Sequence, residues 1–260
     1  MKILYVGDIV GEPGRAVFGK IASLMKARGE VDMIIANAEN AAGGSGITDK
    51  IARELFAAGC DAITLGDHAW DKRDSIPYLN TEPRIIRPAN FPAEAPGRGS
   101  CVVTTAAGVK VGVIILLGRT FMKMLTDCPF RTLDREVAKL KAEGAAAIVV
   151  DMHAEATSEK VAMGRYADGR VSLVLGTHTH IQTADEHIMA GGTAYITDVG
   201  MTGPYDSVIG TETALIIQRY LTGLPNKFEV AKGPGTLCGV IVDIDEATGK
   251  ARAITRVQKT

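Results

Sequence analysis

Five short apolar runs in this sequence each lead into side chains able to hold a cation or move a proton. Ile3–Val6 is followed by Gly7-Asp8, Met33–Ala36 by Asn37-Ala38-Glu39-Asn40, and Ala62–Leu65 by Gly66-Asp67-His68. Ala146–Val150 runs into Asp151-Met152-His153, and Val171–Leu175 into Gly176-Thr177-His178-Thr179-His180. Four of the five histidines of the chain occupy these positions, and only His187 lies elsewhere. Alternate residues of an extended segment share a side, so His178 and His180 can converge on ions. Singly, each residue has an ordinary role: Asp8 as a turn or cap residue, Glu39-Asn40 as solvated loop, His153 as a satisfied structural histidine. Their recurrence at successive run ends points to a site, because open α/β sheets bind ligands outside the carboxyl ends of their strands.

The donors also narrow the choice of ion without fixing it. Hard carboxylate oxygens mixed with imidazole, without thiolate, suit Mn, Fe or Zn rather than a soft metal or calcium. Seven donors (Asp8, Glu39, Asn40, Asp67, His153, His178 and His180) exceed what one tetrahedral zinc uses. Two ions sharing a bridging carboxylate are the economical arrangement.

Elements must hold these residues in place. The apolar runs alternate with amphipathic segments, the pattern of an α/β fold with helices covering a sheet on both sides. After the first run, Pro13 suits a first helical turn, and Val17, Ile21, Leu24 and Met25 share a face that predicts a helix ending at Gly29. A second helix is expected from the cap residue Thr48 to Gly59, and a third from Leu133 to Glu143 with Gly144 beyond its end. Ser75 to Gly99, with five prolines, reads as a long ordered excursion of the kind that shapes a site. Hairpins are expected for Cys101–Thr105 with Val109–Leu117 and for Leu237–Ile244 with Ala251–Val257, which implies mixed sheets, two of them packed together.

Composition sets the outer bounds. At 260 residues one α/β domain spanning residues 1–260 is expected. Lys plus Arg number 29 against 30 Asp plus Glu, so no general basic field attracts extended nucleic acid or an anionic membrane. The longest apolar stretch, Val111 to Leu117, falls far short of the roughly 18 to 20 residues that cross a bilayer. Ile3–Val6 is likewise too short an apolar run for a signal peptide. Four cysteines far apart and without a CxxC pair fit a reduced, cytoplasmic protein. A homo-oligomer is compatible with all of this.

In combination, these motifs resemble the calcineurin-like metallophosphoesterase superfamily. Gly7-Asp8-Ile9-Val10-Gly11, Asn37-Ala38-Glu39-Asn40-Ala41-Ala42-Gly43-Gly44 and Thr197-Asp198-Val199-Gly200-Met201-Thr202-Gly203-Pro204 resemble its bacterial YmdB-like branch, over essentially the full chain. The resemblance implies a four-layer α/β/β/α sandwich with mixed sheets, a binuclear iron or manganese centre, and hydrolysis of 2′,3′-cyclic nucleotides to 3′-nucleotides. It further implies that Asp8, Glu39 and His180 hold one ion, while Asn40, Asp67, His153 and His178 hold the other together with a bridging Glu39. His68 becomes the proton donor. The reaction expected is attack on phosphorus by a hydroxide bridging the two ions, since coordination lowers the pKa of water from 15.7 towards about 7.

Two positions depart from the family pattern. The superfamily's first motif carries a histidine where this chain has Val10, and the family more usually has asparagine where this chain has Asp67. An ionised Asp67 adds a third negative charge beside Asp8 and Glu39, which leaves two divalent ions at a net charge of about +1. That weakens Lewis acidity or favours a trivalent iron at one position. It also keeps two other readings in play: a nucleotide-binding regulatory protein with little turnover, and a phosphatase or nuclease for other esters.

Three further features have double readings. Gly43-Gly44-Ser45-Gly46 matches neither the Walker nor the GxGxxG pattern, so a tight structural loop outweighs a phosphate cradle. Asp198 and Tyr205 either line the pocket or shape a turn, with shape favoured. Trp70 either stacks on a base or packs into the core.

Overall fold

The computed structural model describes residues 1–260. In chain order its strands are β1 (Lys2–Val6), β2 (Asp8–Ile9), β3 (Met33–Asn37), β4 (Ala62–Thr64), β5 (Ile85–Ile86), β6 (Ser100–Thr104) and β7 (Lys110–Leu117). They continue with β8 (Ala147–His153), β9 (Leu173–Thr177), β10 (His187–Ile188), β11 (Ala194–Ile196), β12 (Met201–Pro204), β13 (Gly235–Ile244) and β14 (Ala251–Lys259). The helices are α1 (Gly11–Ala27), α2 (Asp49–Ala57), α3 (Ile76–Thr81), α4 (Pro129–Ala142), α5 (Thr157–Ala167) and α6 (Thr213–Thr222).

The strands form two mixed sheets. In the first, the order is β2-β12-β13-β1-β3-β4-β5, with β14 also paired to β13. β1, β3, β4 and β5 run parallel, whereas β13 lies antiparallel to β1. In the second, the order is β10-β11-β9-β8-β7-β6, parallel except at its two edges.

Side-chain alternation turns two sheets into four layers, because successive residues of a strand face opposite sides. Ile3, Tyr5, Met33 and Ile35 from the first sheet join Val111, Val113, Val149 and Leu173 from the second in one buried cluster between the sheets. The intervening residues Leu4, Val6, Ile34 and Ala36 face the other way, into a cluster with Val17, Phe18, Ile21 and Met25 of α1 and Leu55 of α2. On the far side, Ile114, Ile148, Val150 and Val174 pack with Leu133, Val137 and Leu140 of α4 and Met163 of α5. Each such buried side chain contributes about 1.5–3 kcal/mol, so the even and odd positions of a single strand hold different layers together. The result is the expected α/β/β/α sandwich.

The expected strands and helices are present with shifted ends. Thr48 caps α2 by accepting the Ile51 amide at 3.3 Å. The third expected helix starts at Pro129 rather than Leu133, since a proline in the first turn needs no amide partner. The two hairpins form with the expected partners. The proline-rich excursion contributes α3 and then β5, which pairs with β4 and extends the first sheet. No helix is long and apolar enough to cross a membrane.

Candidate metal centre

The parallel strands end where the chemistry gathers. β1 leads through Gly7 to Asp8, β3 to Glu39-Asn40 and β4 to Asp67-His68, while β8 carries His153 as its last residue and β9 leads to His178 and His180. Glu39, Asp67, His153 and His178 each offer a ligand atom, and these atoms lie within 4.8 Å of one another. His153 is central: its Nε2 is 3.1 Å from Glu39 Oε1, 3.0 Å from Asp67 Oδ1 and 3.1 Å from His178 Nδ1. Gly66 makes this convergence sterically feasible. A Cβ there would fall 2.3 Å from both Glu39 Oε2 and His153 Nε2, so any side chain would displace the groups it must admit.

Asp8, Asn40 and His180 flank these four. Asp8 is fully buried, its Oδ2 accepts the His178 amide at 3.1 Å, and its Oδ1 has no partner. Asn40 is held by Nδ2 donating to the Gly44 carbonyl at 3.1 Å, which leaves its buried Oδ1 equally free. Gly43, Gly44 and Gly46 have positive φ, and the Gly44 amide donates to the Asn40 carbonyl, so the glycine-rich segment is a tight turn that aims Asn40. His180 receives its orientation from the Ile209 carbonyl, 2.9 Å from Nδ1. Burial holds the His180 imidazole below its usual range.

The electrostatics of the site call for a cation. Glu39 and Asp67 pair only with histidines, and no lysine or arginine forms an ion pair with Asp8, Glu39 or Asp67. Burial pushes the Asp8 carboxyl up to about 8. Burial also opposes charge on His153, yet Glu39 and the hydrogen bond to Asp67 carry its imidazole well above the usual histidine range. Both shifts reflect uncompensated negative charge in a dry site, and leaving oxygens such as Asp8 Oδ1 and Asn40 Oδ1 unpaired is costly unless an ion takes them. The residues therefore fit a metal centre.

A polar network behind the cluster fixes His153. Thr177 Oγ1 donates to Asp151 Oδ1 at 2.6 Å, so its single proton is committed and it accepts from His153 Nδ1 at 2.8 Å. With its Nδ1 proton so held, His153 presents Nε2 to the cluster, the arrangement usual for metal-binding histidines. Asp151 Oδ2 is also bonded by the Tyr5 hydroxyl and by Thr64 Oγ1 at 3.1 Å. Burial pushes both the Asp151 carboxyl and the Tyr5 hydroxyl up. Asp151 and His153 share a face of β8 by alternation, which is the signal in the sequence from which this partner could have been found.

His178 and His180 adopt left-handed backbone, with φ of 95° and 67°. Such residues are strained by about 1–3 kcal/mol each unless their surroundings hold them. Asp198 does so: it accepts from the Thr179 amide at 3.2 Å, from Thr179 Oγ1 at 2.7 Å and from the Gly200 amide at 2.8 Å. Lys160, buried beneath, pairs with Asp198 at 2.7 Å. Asp198 thus shapes the turn, and Tyr205 packs away from the cluster with its hydroxyl 2.9 Å from Cys238 Sγ. Trp70 lies tilted at 57° against Phe91, with centroids 4.7 Å apart, and packs against the cluster under α1 and α2.

His68 stands at the rim. Its amide donates to Glu39 Oε2 at 3.2 Å, and its Nδ1 lies 2.8 Å from Asp71 Oδ2. Burial lowers the His68 pKa, but Glu39, Asp67 and Asp71 outweigh it and hold the ring above its usual range.

This architecture has known counterparts. Over its whole length the chain matches 54% of a 5′-nucleotidase precursor from Thermus thermophilus at a TM-score of 0.60 and 14% identity, a likeness of fold. Fold and site together define a hydrolytic enzyme of the metallophosphoesterase class. The family model described as YmdB-like protein matches residues 4–257, and the chain belongs to that family. It is 49% identical to the 2′,3′-cyclic-nucleotide 2′-phosphodiesterase of Bacillus subtilis (strain 168), across 99% of this chain and 96% of that one. The crystal structure of a novel phosphatase from Mycoplasma pneumoniae superposes with a TM-score of 0.92 at 34% identity, covering 99% of this chain and 92% of that one.

Proposed function

We propose that the chain, as one domain, is a binuclear-metal phosphodiesterase that hydrolyses small phosphodiesters, chiefly 2′,3′-cyclic nucleotides to 3′-nucleotides. The observation that carries this reading is the convergence of Glu39, Asp67, His153 and His178 beside the unpartnered oxygens of Asp8 and Asn40. The name of the Bacillus subtilis relative supports the substrate class. Asp8, Glu39 and His180 would hold one ion, and Asn40, Asp67, His153 and His178 the other, with Glu39 shared. Mixed oxygen and imidazole donors favour iron or manganese, with zinc next. When bound, the ions supply Lewis acidity, which neutralises phosphoryl charge and makes hydroxide available near neutral pH.

The side chains of the protein do the rest. Asp71 occupies Nδ1 of His68, so Nε2 remains to donate. Breaking the P–O2′ bond leaves charge on the 2′-oxygen, and His68 protonates it as that bond opens. Glu39, Asp67 and Asp71 favour the protonated form of this ring. Four free cysteines agree with a reducing, cytoplasmic setting.

The test pairs elemental analysis of the purified protein with hydrolysis of 2′,3′-cyclic AMP and of a generic bis-phosphoester, with Mn or Fe added. About two ions per chain and formation of the 3′-nucleotide are expected. Binding of the cyclic nucleotide without product would make this a regulatory nucleotide-binding protein. Turnover of the bis-ester alone would move the substrate to other phosphodiesters.

A further inference from the structure

The two histidines that meet in the cluster are held in different ways. His153 is fully buried, with Nδ1 against Thr177 and Nε2 inward. His178 is turned about: its Nδ1 lies 3.1 Å from His153 Nε2 and 3.5 Å from Asp67 Oδ1, so Nδ1 is the nitrogen that enters the cluster. Its Nε2 faces outward, and the side chain is 23% exposed. A neutral imidazole carries one proton and coordinates an ion only through the other nitrogen. The group that draws the proton to Nε2 therefore decides whether Nδ1 is free to bind.

One group stands there. Glu155 Oε2 lies 3.3 Å from His178 Nε2, and no other side chain pairs with that nitrogen. Glu155 in turn has no lysine or arginine partner, so nothing else claims its charge. It is not one of the donors that converge within 4.8 Å, and it reaches the cluster only through the imidazole.

The chain around Glu155 is anchored on both sides. It follows His153, the last residue of β8, by two positions in the link to α5. Its neighbours Ala154 and Ala156 are buried, and the Ala156 carbonyl accepts the Glu159 and Lys160 amides of α5 at 3.1 and 3.3 Å. The Glu155 side chain itself is 52% exposed. Its backbone is thus fixed at the rim, while its carboxylate has the freedom to close on the ring to hydrogen-bond length.

We infer that Glu155 is the positioning residue of His178. Its carboxylate accepts the Nε2 proton, commits the imidazole to the tautomer with Nδ1 unprotonated, and holds the ring towards the ion assigned to Asn40, Asp67, His153 and His178. The inference rests on the metal-centre reading proposed for the chain. Metal-binding histidines usually donate their second N–H to a carboxylate or carbonyl, and removing such a partner lowers metal affinity about 10- to 100-fold.

Chelator competition with manganese at fixed pH, on the full-length parent and on Glu155→Ala, tests this. The parent should bind two ions, and the alanine variant should bind one of them about 10- to 100-fold more weakly while the other keeps its parental affinity. Glu155→Gln, which retains an acceptor oxygen at the same place, should fall between the two. The metal-free alanine variant should melt at the parental temperature, because a half-exposed side chain outside the core adds little to folding. A lower melting temperature without metal would assign Glu155 to the fold and overturn the inference, as would equal loss of affinity at both positions. In the zinc-loaded parent, long-range proton–nitrogen correlation should show His178 protonated at Nε2 and metal-bound at Nδ1; the reverse would overturn it too. Parental affinity in the alanine variant, with two ions bound to the parent, would overturn the role of Glu155 and leave the metal centre standing. A parent that binds no ion would overturn both.

Discussion

At the scale of single residues, the centre depends on groups that never touch an ion. Thr177 is the clearest, because its hydroxyl fixes which nitrogen of His153 carries the proton. Thr177→Val keeps the shape of the side chain and removes the acceptor, so metal affinity should fall about 10- to 100-fold. Chelator competition measures this, and Thr177→Ser should retain the parent value; a valine variant with parental affinity would mean that the relay does not orient His153. Asp67 offers a second residue-scale prediction. Asp67→Asn removes one negative charge from the cluster, and the resulting increase in Lewis acidity should raise turnover on the order of a few-fold at saturating metal. An unchanged or lower rate in steady-state assays would show that the carboxylate is needed as such. The candidate donors were legible from the sequence because hard ligands recur after apolar runs. Thr177 and Asp71 were not singled out, since nothing local distinguishes a threonine or aspartate that serves a ligand from one that caps a turn, and Asp151 was marked only by its alternation with His153 on β8.

At the scale of elements, the strands were easier to read than the helices. β1, β3, β8 and β9 are continuous aliphatic runs because they are covered on both faces. α5 escaped because its sequence, TSEKVAMGRYA, has little amphipathic contrast, and α6 because it turns no residue inward. α5 nevertheless supports the site through Lys160, whose buried pairing with Asp198 braces the strained His178–His180 turn. Lys160→Met leaves the Asp198 carboxylate buried and unpaired, and should lower stability by about 3–5 kcal/mol. Chemical denaturation reads that loss directly. A variant as stable as the parent would mean that Asp198 is satisfied by Thr179 and Gly200 alone.

At the scale of the whole molecule, the centre joins two sheets that are otherwise held together by apolar packing, by loops and by the hydrogen bonds of Tyr5 and Thr64 to Asp151. Asp8, Glu39 and Asp67 come from the first sheet, and His153 and His178 from the second. The pairing of β13 with β1, which seats residues near the end of the chain beside its first strand, was beyond reach of the sequence because nothing local encodes so distant a register. An ion held from both sides would act as a clamp across that long-range architecture. Metal at 100 times its dissociation constant should then stabilise the fold by about 2.7 kcal/mol, because it binds the native state alone. For a chain of this size that corresponds to a rise in Tm of roughly 5–10 °C. Thermal denaturation of chelator-treated and manganese-loaded protein measures the increment. Leu140→Ala, in the outer helix layer, should lower both transitions together, since it touches packing on one sheet only. His153→Ala should abolish the increment itself, as it removes the second sheet's central donor. Equal melting temperatures with and without metal in the parent would show that the two sheets are not clamped through these ligands.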